Sequence, residues 1–128
     1  MVESDKIMVV DLTKDYSVAI IEEDDSKHVY YNEKEYQIGL FEPIEQNIYL
    51  YSKMTNGLKW QTLAHELTHA FLFIAGLQNV AMNEETICNF TANYHERITE
   101  IVNEYKDKAE RYYANKDRDK EIHWWRPC

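Results

Sequence analysis

A chain of 128 residues with 45% apolar and 13% aromatic residues can bury one core, and we predict a single domain over residues 1–128. Its 23 acidic and 14 basic residues give a formal net charge of -9, which argues against nucleic acid or an anionic membrane surface as a partner. No signal-peptide pattern or apolar run of membrane-spanning length is present, and two cysteines are too few for a disulfide framework, so we expect a cytoplasmic protein with reduced thiols.

The first part of the chain has the composition of short β-strands. β-branched and aromatic residues dominate runs that are separated by acidic or polar clusters such as EEDDSK. Between Lys6 and Ser52 this pattern predicts the strands IMVVDL, SVAIIE, HVYY, EYQIGLF and NIYLYS. We expect them to form an antiparallel or mixed sheet.

The period of the apolar residues changes after Thr55-Asn56-Gly57 and indicates a helix to about Ala75. Thr55 or Asn56 can cap the start of this helix, and Gly76 is placed to end it in a left-handed turn. One apolar stripe runs along the helix and predicts its buried face: Trp60, Leu63, Ala64, Leu67, Phe71 and Ile74.

A second helical pattern begins near Asn83 and continues into the charged stretch around Lys116. The residues predicted to face inward are Ile87, Thr91, Tyr94, Ile98, Ile101, Val102 and Tyr105. In the tail HWWRPC we expect Trp124 and Trp125 to pack on the domain. Strands followed by helices make the fold class α+β.

The first predicted helix carries the sequence HExxH as His65, Glu66, Leu67, Thr68 and His69. The two histidines are four residues apart and therefore lie one above the other on one helical face. Imidazole is a preferred zinc ligand, and this spacing lets both rings reach one ion. The pair points nearly opposite to the apolar stripe, toward a cleft or a second element, which is where a catalytic metal must lie.

A catalytic zinc site needs a third protein ligand, and the candidates on the next helix are Glu84, Glu85, Cys88 and His95. We predict Glu85, because Asn89 stands one turn later on the same face and can hydrogen-bond a histidine ligand to orient it. Glu84 lies closer to the apolar stripe of its helix and stays the alternative. Cys88 is predicted to be a small buried residue.

With three protein ligands, one position stays open for water, whose pKa zinc lowers from 15.7 to about 7. Glu66 is next to a ligand but turned by about 100° around the helix, so it can act as general base and later protonate the leaving amine. The donor that would stabilise the oxyanion is not assigned by the sequence; it is sought among Tyr49, Tyr51, Tyr94 and His95. His28 and His123 fit no ligand spacing and are predicted to be ordinary surface or packed residues.

The segment TLAHELTHAFLFIAGL followed by NEETICNFTANYHERI resembles the ImmA/IrrE family of small metallopeptidases, especially members of phages and integrative elements. The resemblance covers roughly Gln37 to Ile101. It includes Gly39 and NIYLYS, where the family has a short strand that can pair with an extended substrate. The family's third ligand is a Glu followed by small and apolar residues, as Glu85, Cys88 and Ala92 are here.

This resemblance implies a minimal zincin-like α+β fold: an N-terminal sheet, an active-site helix and a long ligand-bearing helix. It also implies Zn²⁺ as cofactor and cleavage of a protein substrate such as a helix-turn-helix repressor of a phage or mobile element. The ligand helix looks like that of thermolysin-type enzymes as well, but Asn89 replaces their Asp and would orient a histidine less strongly.

Two alternatives remain open from the sequence. The first is a catalytically weak or inactive zincin-fold module that docks to a regulator, motivated by Asn89 and by Trp124 and Trp125. The second is a structural zinc site, for which Cys88 or His95 would have to be a fourth protein ligand.

Overall fold

The computed structural model describes residues 4–78 and 80–125, with side chains as far as residue 116. Over this part of the chain, six strands are followed by two helices. The elements are β1 (Ser4–Asp11), β2 (Ser17–Glu23), β3 (Tyr30–Tyr31), β4 (Tyr36–Gln37), β5 (Gly39–Glu42), β6 (Asn47–Tyr51), α1 (Asn56–Ile74) and α2 (Glu84–Trp125). The α+β class is confirmed.

The main sheet is mixed, with the strand order β1-β2-β6-β5. β1 is antiparallel to β2, and β5 is antiparallel to β6, while β2 and β6 are parallel. A parallel pair requires a crossover, and the chain makes it through the β3–β4 hairpin and β5 before β6 returns beside β2. Of the two predicted sheet types, the mixed one is therefore correct.

The predicted strand EYQIGLF is divided into two strands that belong to different sheets. Tyr36 and Gln37 pair with the short strand β3, whereas Gly39 to Glu42 pair with β6. The prediction of one continuous strand was wrong. The residues on the two sides of Ile38 have a similar composition, and the two segments differ only in the strand with which each one pairs. This division places β5 at an edge of the main sheet, beside α1.

The core lies between the main sheet and the two helices. In α1 the residues Leu63, Leu67 and Phe71 are buried, as the apolar stripe predicted. In α2 the buried residues are Ile101, Tyr105 and Ala109. On the other face of the sheet, Tyr49 and Tyr51 pack with Val29 in a second, smaller apolar cluster.

A buried polar network joins α1 and α2 to β2. Lys59 Nζ lies 3.0 Å from Glu22 Oε1 and donates to the Tyr113 hydroxyl at 2.9 Å. The hydroxyls of Tyr105 and Tyr113 both donate to Glu22 Oε2. Burial raises the pKa of both tyrosines, so they remain neutral donors. The four partners come from three elements, with Lys59 on α1, Glu22 on β2 and both tyrosines on α2. The network therefore contributes to the position of the two helices on the sheet.

Capping residues define both ends of α1 and the start of α2. The Thr55 side chain accepts from the Leu58 N–H at 3.4 Å, and the chain leaves α1 through Gly76 at φ 73°. Asn83 Oδ1 accepts from the Thr86 N–H at 2.8 Å at the start of α2. These ends agree with the prediction, but α2 continues past Lys116 to Trp125. Within the described part of the chain, neither helix has an apolar stretch long enough to cross a membrane.

The first turns of α2 are more exposed than the helical pattern predicted. Ile87 is 50% exposed, and Thr91 and Cys88 are exposed as well. The predicted inward orientation of Ile87 and Thr91, and the predicted burial of Cys88, were wrong for this reason. α1 presents the short side chains of Ala64 and Thr68 toward this region, and an apolar groove of about 540 Å³ stays open between the helices. The side chains of Trp124 and Trp125, which were predicted to pack on the domain, lie outside the part of the chain whose side chains the structure describes.

Candidate metal centre

The two histidines of the HExxH sequence lie side by side on the exposed face of α1. Their Nε2 atoms are 3.2 Å apart, and the ring centroids are separated by 4.8 Å with the planes at 74°. Two ligands of one tetrahedral zinc ion, each bonded at the usual length, are about 3.3 Å apart. The helical spacing of His65 and His69 therefore brings two nitrogen donors to the separation that one such ion requires.

Glu66 lies beside this pair but points under the edge of the sheet, where it is buried. Burial raises the pKa of its carboxyl group, while the charges of His65 and His69 and the backbone N–H of Phe41, which donates to the carboxylate, act to lower it. The net shift is upward. A carboxyl group whose pKa is raised by burial beside a candidate metal site is a candidate for proton transfer.

Gly39 is the point at which β5 passes closest to α1. A Cβ atom at this position would lie 2.5 Å from Thr62 Cγ2 and 3.0 Å from Glu66 Oε2, which is closer than side chains allow. The absence of a side chain thus lets the strand approach the helix next to the general-base candidate. A glycine within a strand commonly marks such a close approach.

A cleft of about 330 Å³ lies between β5 and α1. Its lining comprises Tyr36, Gln37, Ile38, Gly39, Leu58, Gln61, Thr62, His65 and Glu66. One histidine of the pair and the buried carboxylate therefore face the same space. On the other side of α1, the apolar groove toward α2 begins at Ala64 and Thr68, so the histidines occupy the ridge between the two depressions.

The backbone of β5 offers free pairing positions to this cleft. Tyr51 N–H donates to Ile38 C=O at 3.0 Å, and the antiparallel ladder then alternates along β5. By this alternation the backbone groups of Gly39 and Phe41 point away from β6. The Phe41 N–H is engaged by the Glu66 carboxylate, and Gly39 lines the cleft.

The remaining predicted metal residues are on α2. Glu84, Glu85 and Asn89 are exposed in its first turns, and His95 is exposed along the groove. Within the described part of the chain, no three His, Cys, Asp or Glu residues form a group that could hold a metal ion. The structure brings together His65, His69 and Glu66 but does not bring Glu85 or Glu84 to them, and the third ligand stays a prediction.

The aromatic candidates for the oxyanion donor have other partners. Tyr49 donates to Glu45 Oε2 at 2.7 Å and stacks on His28 at 3.7 Å, and burial raises its pKa to about 12. Tyr94 stacks on Phe71. None of the four candidates, Tyr49, Tyr51, Tyr94 and His95, lines the cleft, so the role stays unassigned. His28 is a packed residue, as predicted, whose Nδ1 lies 2.9 Å from Glu23 Oε1.

The sequence analysis assigned no role in the site to Tyr36, Gln37, Ile38, Leu58, Gln61 or Thr62, which line the cleft, or to the Phe41 N–H, which contacts Glu66. The Phe41 N–H is a backbone group, and backbone groups carry no residue-type signal. Thr62 lies one turn before Glu66 on α1 and packs against Gly39, as the close approach to its Cγ2 atom shows. A spacing of four residues from Glu66 was the only sequence signal for Thr62.

Comparison with family models, with curated proteins and with solved structures gave no match. The resemblance to the ImmA/IrrE metallopeptidases therefore rests on the residues of the two helices and the strand before them.

Proposed function

We propose that this chain is a zinc-dependent endopeptidase with a minimal zincin-like fold. The observation that carries the proposal is the pair of exposed imidazoles with Nε2 atoms 3.2 Å apart, next to a buried carboxylate in a cleft along an edge strand. Imidazole nitrogens are donors that zinc accepts, so His65 and His69 of α1 fit two of its ligands, and a carboxylate from α2 would supply the third.

Each residue of the site has a distinct part in hydrolysis of a peptide bond. His65 and His69 would hold the ion, with Glu85 as the proposed third ligand and Asn89 hydrogen-bonding a histidine. Zinc, when bound, polarises a carbonyl group and makes water more acidic. Glu66, which lines the cleft, would take the proton of the attacking water and pass it to the leaving amine.

Substrate orientation follows from the edge of the sheet. An extended peptide that pairs with the backbone of Gly39 adds a strand beside β5, the mode by which sheet edges commonly bind peptides. Its scissile bond would then pass His65 and Glu66, which line the same cleft. A flexible or extended segment of a protein is therefore the favoured substrate.

Substitution of Glu66 by Gln separates metal binding from catalysis. With zinc added, we expect wild-type protein to cleave a protein substrate, and Glu66→Gln to bind zinc equally but cleave at least 100-fold more slowly. His65→Ala and His69→Ala should lose both zinc and cleavage. Cleavage by Glu66→Gln at the wild-type rate with zinc in place would overturn the assignment of the base.

The third ligand is tested by zinc titration of Glu85→Ala and Glu84→Ala. We expect Glu85→Ala to weaken zinc binding strongly and Glu84→Ala to leave it nearly unchanged. His95→Ala tests the alternative of a structural site. Loss of zinc binding in this variant would indicate that His95 is a protein ligand and that no coordination position is left for water. Wild-type affinity in all three variants would contradict Glu85, Glu84 and His95 as ligands.

The resemblance further proposes a helix-turn-helix repressor as the substrate. Incubation with the repressor encoded closest to the gene, followed by mass spectrometry of the products, tests this directly.

The second candidate function is a docking module without catalysis. It is favoured by one observation, the exposed positions of Glu84 and Glu85 apart from the histidine pair. A stable complex in which the repressor stays intact would support the docking module instead of the peptidase.

A further inference from the structure

The β3–β4 hairpin carries two large aromatic side chains that are mostly exposed. Tyr31 and Tyr36 are cross-strand partners, with ring centroids 5.8 Å apart, and they are 63% and 66% exposed. A cross-strand aromatic pair stabilises a hairpin by only about 0.2–1 kcal/mol, and two strands of two residues each are marginal. Stabilisation of the hairpin explains why the two rings contact each other. It does not explain why both rings remain mostly exposed to solvent.

This surface continues into the candidate active site. A depression of about 640 Å³ is lined by Tyr31, Tyr36, Ile38, Tyr51, Lys53, Met54, Thr55 and Leu58. Tyr36, Ile38 and Leu58 also line the cleft that contains His65 and Glu66. We call the surface formed by Tyr31, Tyr36, Ile38 and Leu58 the aromatic patch. It is an extension of the catalytic cleft and not a separate surface.

The distance from the patch to the metal residues is set by α1. Leu58 precedes His65 by seven residues, or about 10 Å along the helix at 1.5 Å per residue. An extended peptide rises about 3.3 Å per residue, so the same distance corresponds to about three residues of substrate. A side chain three residues from the cleaved bond would therefore lie over the patch.

The chemistry of the patch favours an uncharged apolar side chain. Two aromatic rings, an isoleucine and a leucine provide its contact area. Lys53, the charged residue in the lining within the described part of the chain, is 3.3 Å from Asp25 and already paired. Burial of an aromatic or branched aliphatic side chain on such rings is favourable, whereas a charged side chain would lose its hydration without gaining a partner.

We propose that the aromatic patch is a specificity subsite that binds a large apolar side chain of the substrate, about three residues from the scissile bond. This inference rests on the proposed peptidase function and names its substrate class: extended segments with Phe, Tyr, Leu or Met at that distance. Tyr36 and Leu58 determine the specificity, the first from the hairpin and the second from the helix.

A pool of decapeptides with randomised sequences tests the subsite without a known substrate. Zinc-loaded wild-type protein is incubated with the pool, and the products are sequenced by mass spectrometry. We expect enrichment of large apolar residues two to four positions from the cleaved bond. For a matched pair of peptides with Phe or Ala at that position, the ratio of kcat/KM should be roughly tenfold or more.

Two substitutions approach the patch from different elements. Tyr36→Thr removes the ring but keeps a residue that favours strands, and Leu58→Ala leaves the hairpin unchanged. Both should reduce the Phe-to-Ala ratio toward one, and Tyr36→Phe should keep it. Val9→Ala removes an exposed apolar side chain from β1, at the opposite edge of the sheet, and should keep the wild-type ratio. A wild-type enzyme without preference at these positions, or an unchanged ratio in both patch variants, overturns the subsite.

Failure of the peptidase proposal gives a different result. If zinc-loaded wild-type protein cleaves no peptide of the pool, the pool is passed over immobilised wild-type and Tyr36→Thr proteins. Retention of Phe- and Leu-containing peptides by the wild type alone would support the patch as a binding site while the catalytic proposal fails. Equal retention by the two proteins would overturn the patch as well.

Discussion

Glu66 is held where its charged form is disfavoured. Burial raises its pKa, so the folded state binds a proton to this group more tightly than the unfolded state does. The stability that this proton contributes is present below the ordinary carboxyl pKa and is lost as the pH rises through the folded value. Above the folded pKa the ionised side chain therefore destabilises the fold.

Replacement of Glu66 by Gln should remove this destabilisation, because the amide does not ionise. In metal-free protein we expect Glu66→Gln to be more stable than the wild type at pH 7, by about 1 kcal/mol as is typical of relieved functional sites, with a smaller difference near pH 4. Urea denaturation at the two pH values measures the effect. An equal gain at both would show that ionisation of Glu66 is not its origin.

Gly39 allows β5 to lie against α1, and its substitution is expected to disturb both fold and site. Gly39→Ala places a methyl group 2.5 Å from Thr62 Cγ2 and should destabilise the protein by about 1–3 kcal/mol, as overpacking does. Cleavage should fall as well because Glu66 must shift. Thermal denaturation and peptide cleavage are the measurements.

Two further variants make the test of Gly39 specific. Thr62→Ser removes the atom that would clash most closely, so Gly39→Ala combined with Thr62→Ser should recover part of the stability. Gly57→Ala is the control, because nothing lies within 4 Å of a Cβ at that helical position. That substitution should stabilise the protein by roughly 0.5–1 kcal/mol. Destabilisation by both alanines alike would contradict the steric explanation.

Among the elements, α2 depends on a polar network for its position. Lys59 of α1 and Glu22 of β2 are both buried, and the two tyrosine hydroxyls of α2 complete the hydrogen bonds of Glu22. A buried ion pair is weak evidence of net stabilisation, but loss of one partner leaves an uncompensated charge. We therefore expect the network to determine the position of α2 on the sheet and to add little net stability.

Lys59→Met should therefore destabilise the protein by about 3–5 kcal/mol, measured by urea denaturation. The double variant Lys59→Met with Glu22→Gln should be more stable than Lys59→Met alone, since a neutral amide still accepts from Tyr105 and Tyr113. Lys53→Met, which removes the exposed pair with Asp25, should cost at most about 1 kcal/mol. A cost for Lys59→Met as small as that of the exposed pair would contradict a buried role.

The element that differs most from expectation is the first part of α2. Ile87 and Thr91 fit an apolar period but face an open groove, because periodicity identifies a helical face and not the distance to its neighbour. The short side chains of Ala64 and Thr68 do not fill that distance. For the same reason the sequence could propose Glu85 as a ligand but could not place its carboxylate.

At the scale of the whole molecule, metal binding is expected to stabilise the fold. A ligand that binds only the native state adds about 2.7 kcal/mol at a concentration 100 times its Kd. Zinc should raise the thermal midpoint of the wild type, and a chelator should reverse the increase. The double variant His65→Ala and His69→Ala should show no zinc-dependent shift; a shift equal to that of the wild type would place the metal elsewhere.

The sequence by itself determined the α+β class, the extent of α1 and the presence of two histidines on its exposed face. These features are local, since they follow from residue period, from capping residues and from a fixed spacing on one helix. The tertiary structure decided the parallel pairing of β2 with β6, the division of EYQIGLF, the burial of Glu66 beneath β5 and the aromatic patch beside the cleft. All four depend on contacts between residues far apart in the chain, and no local pattern records which strand or helix a segment will meet.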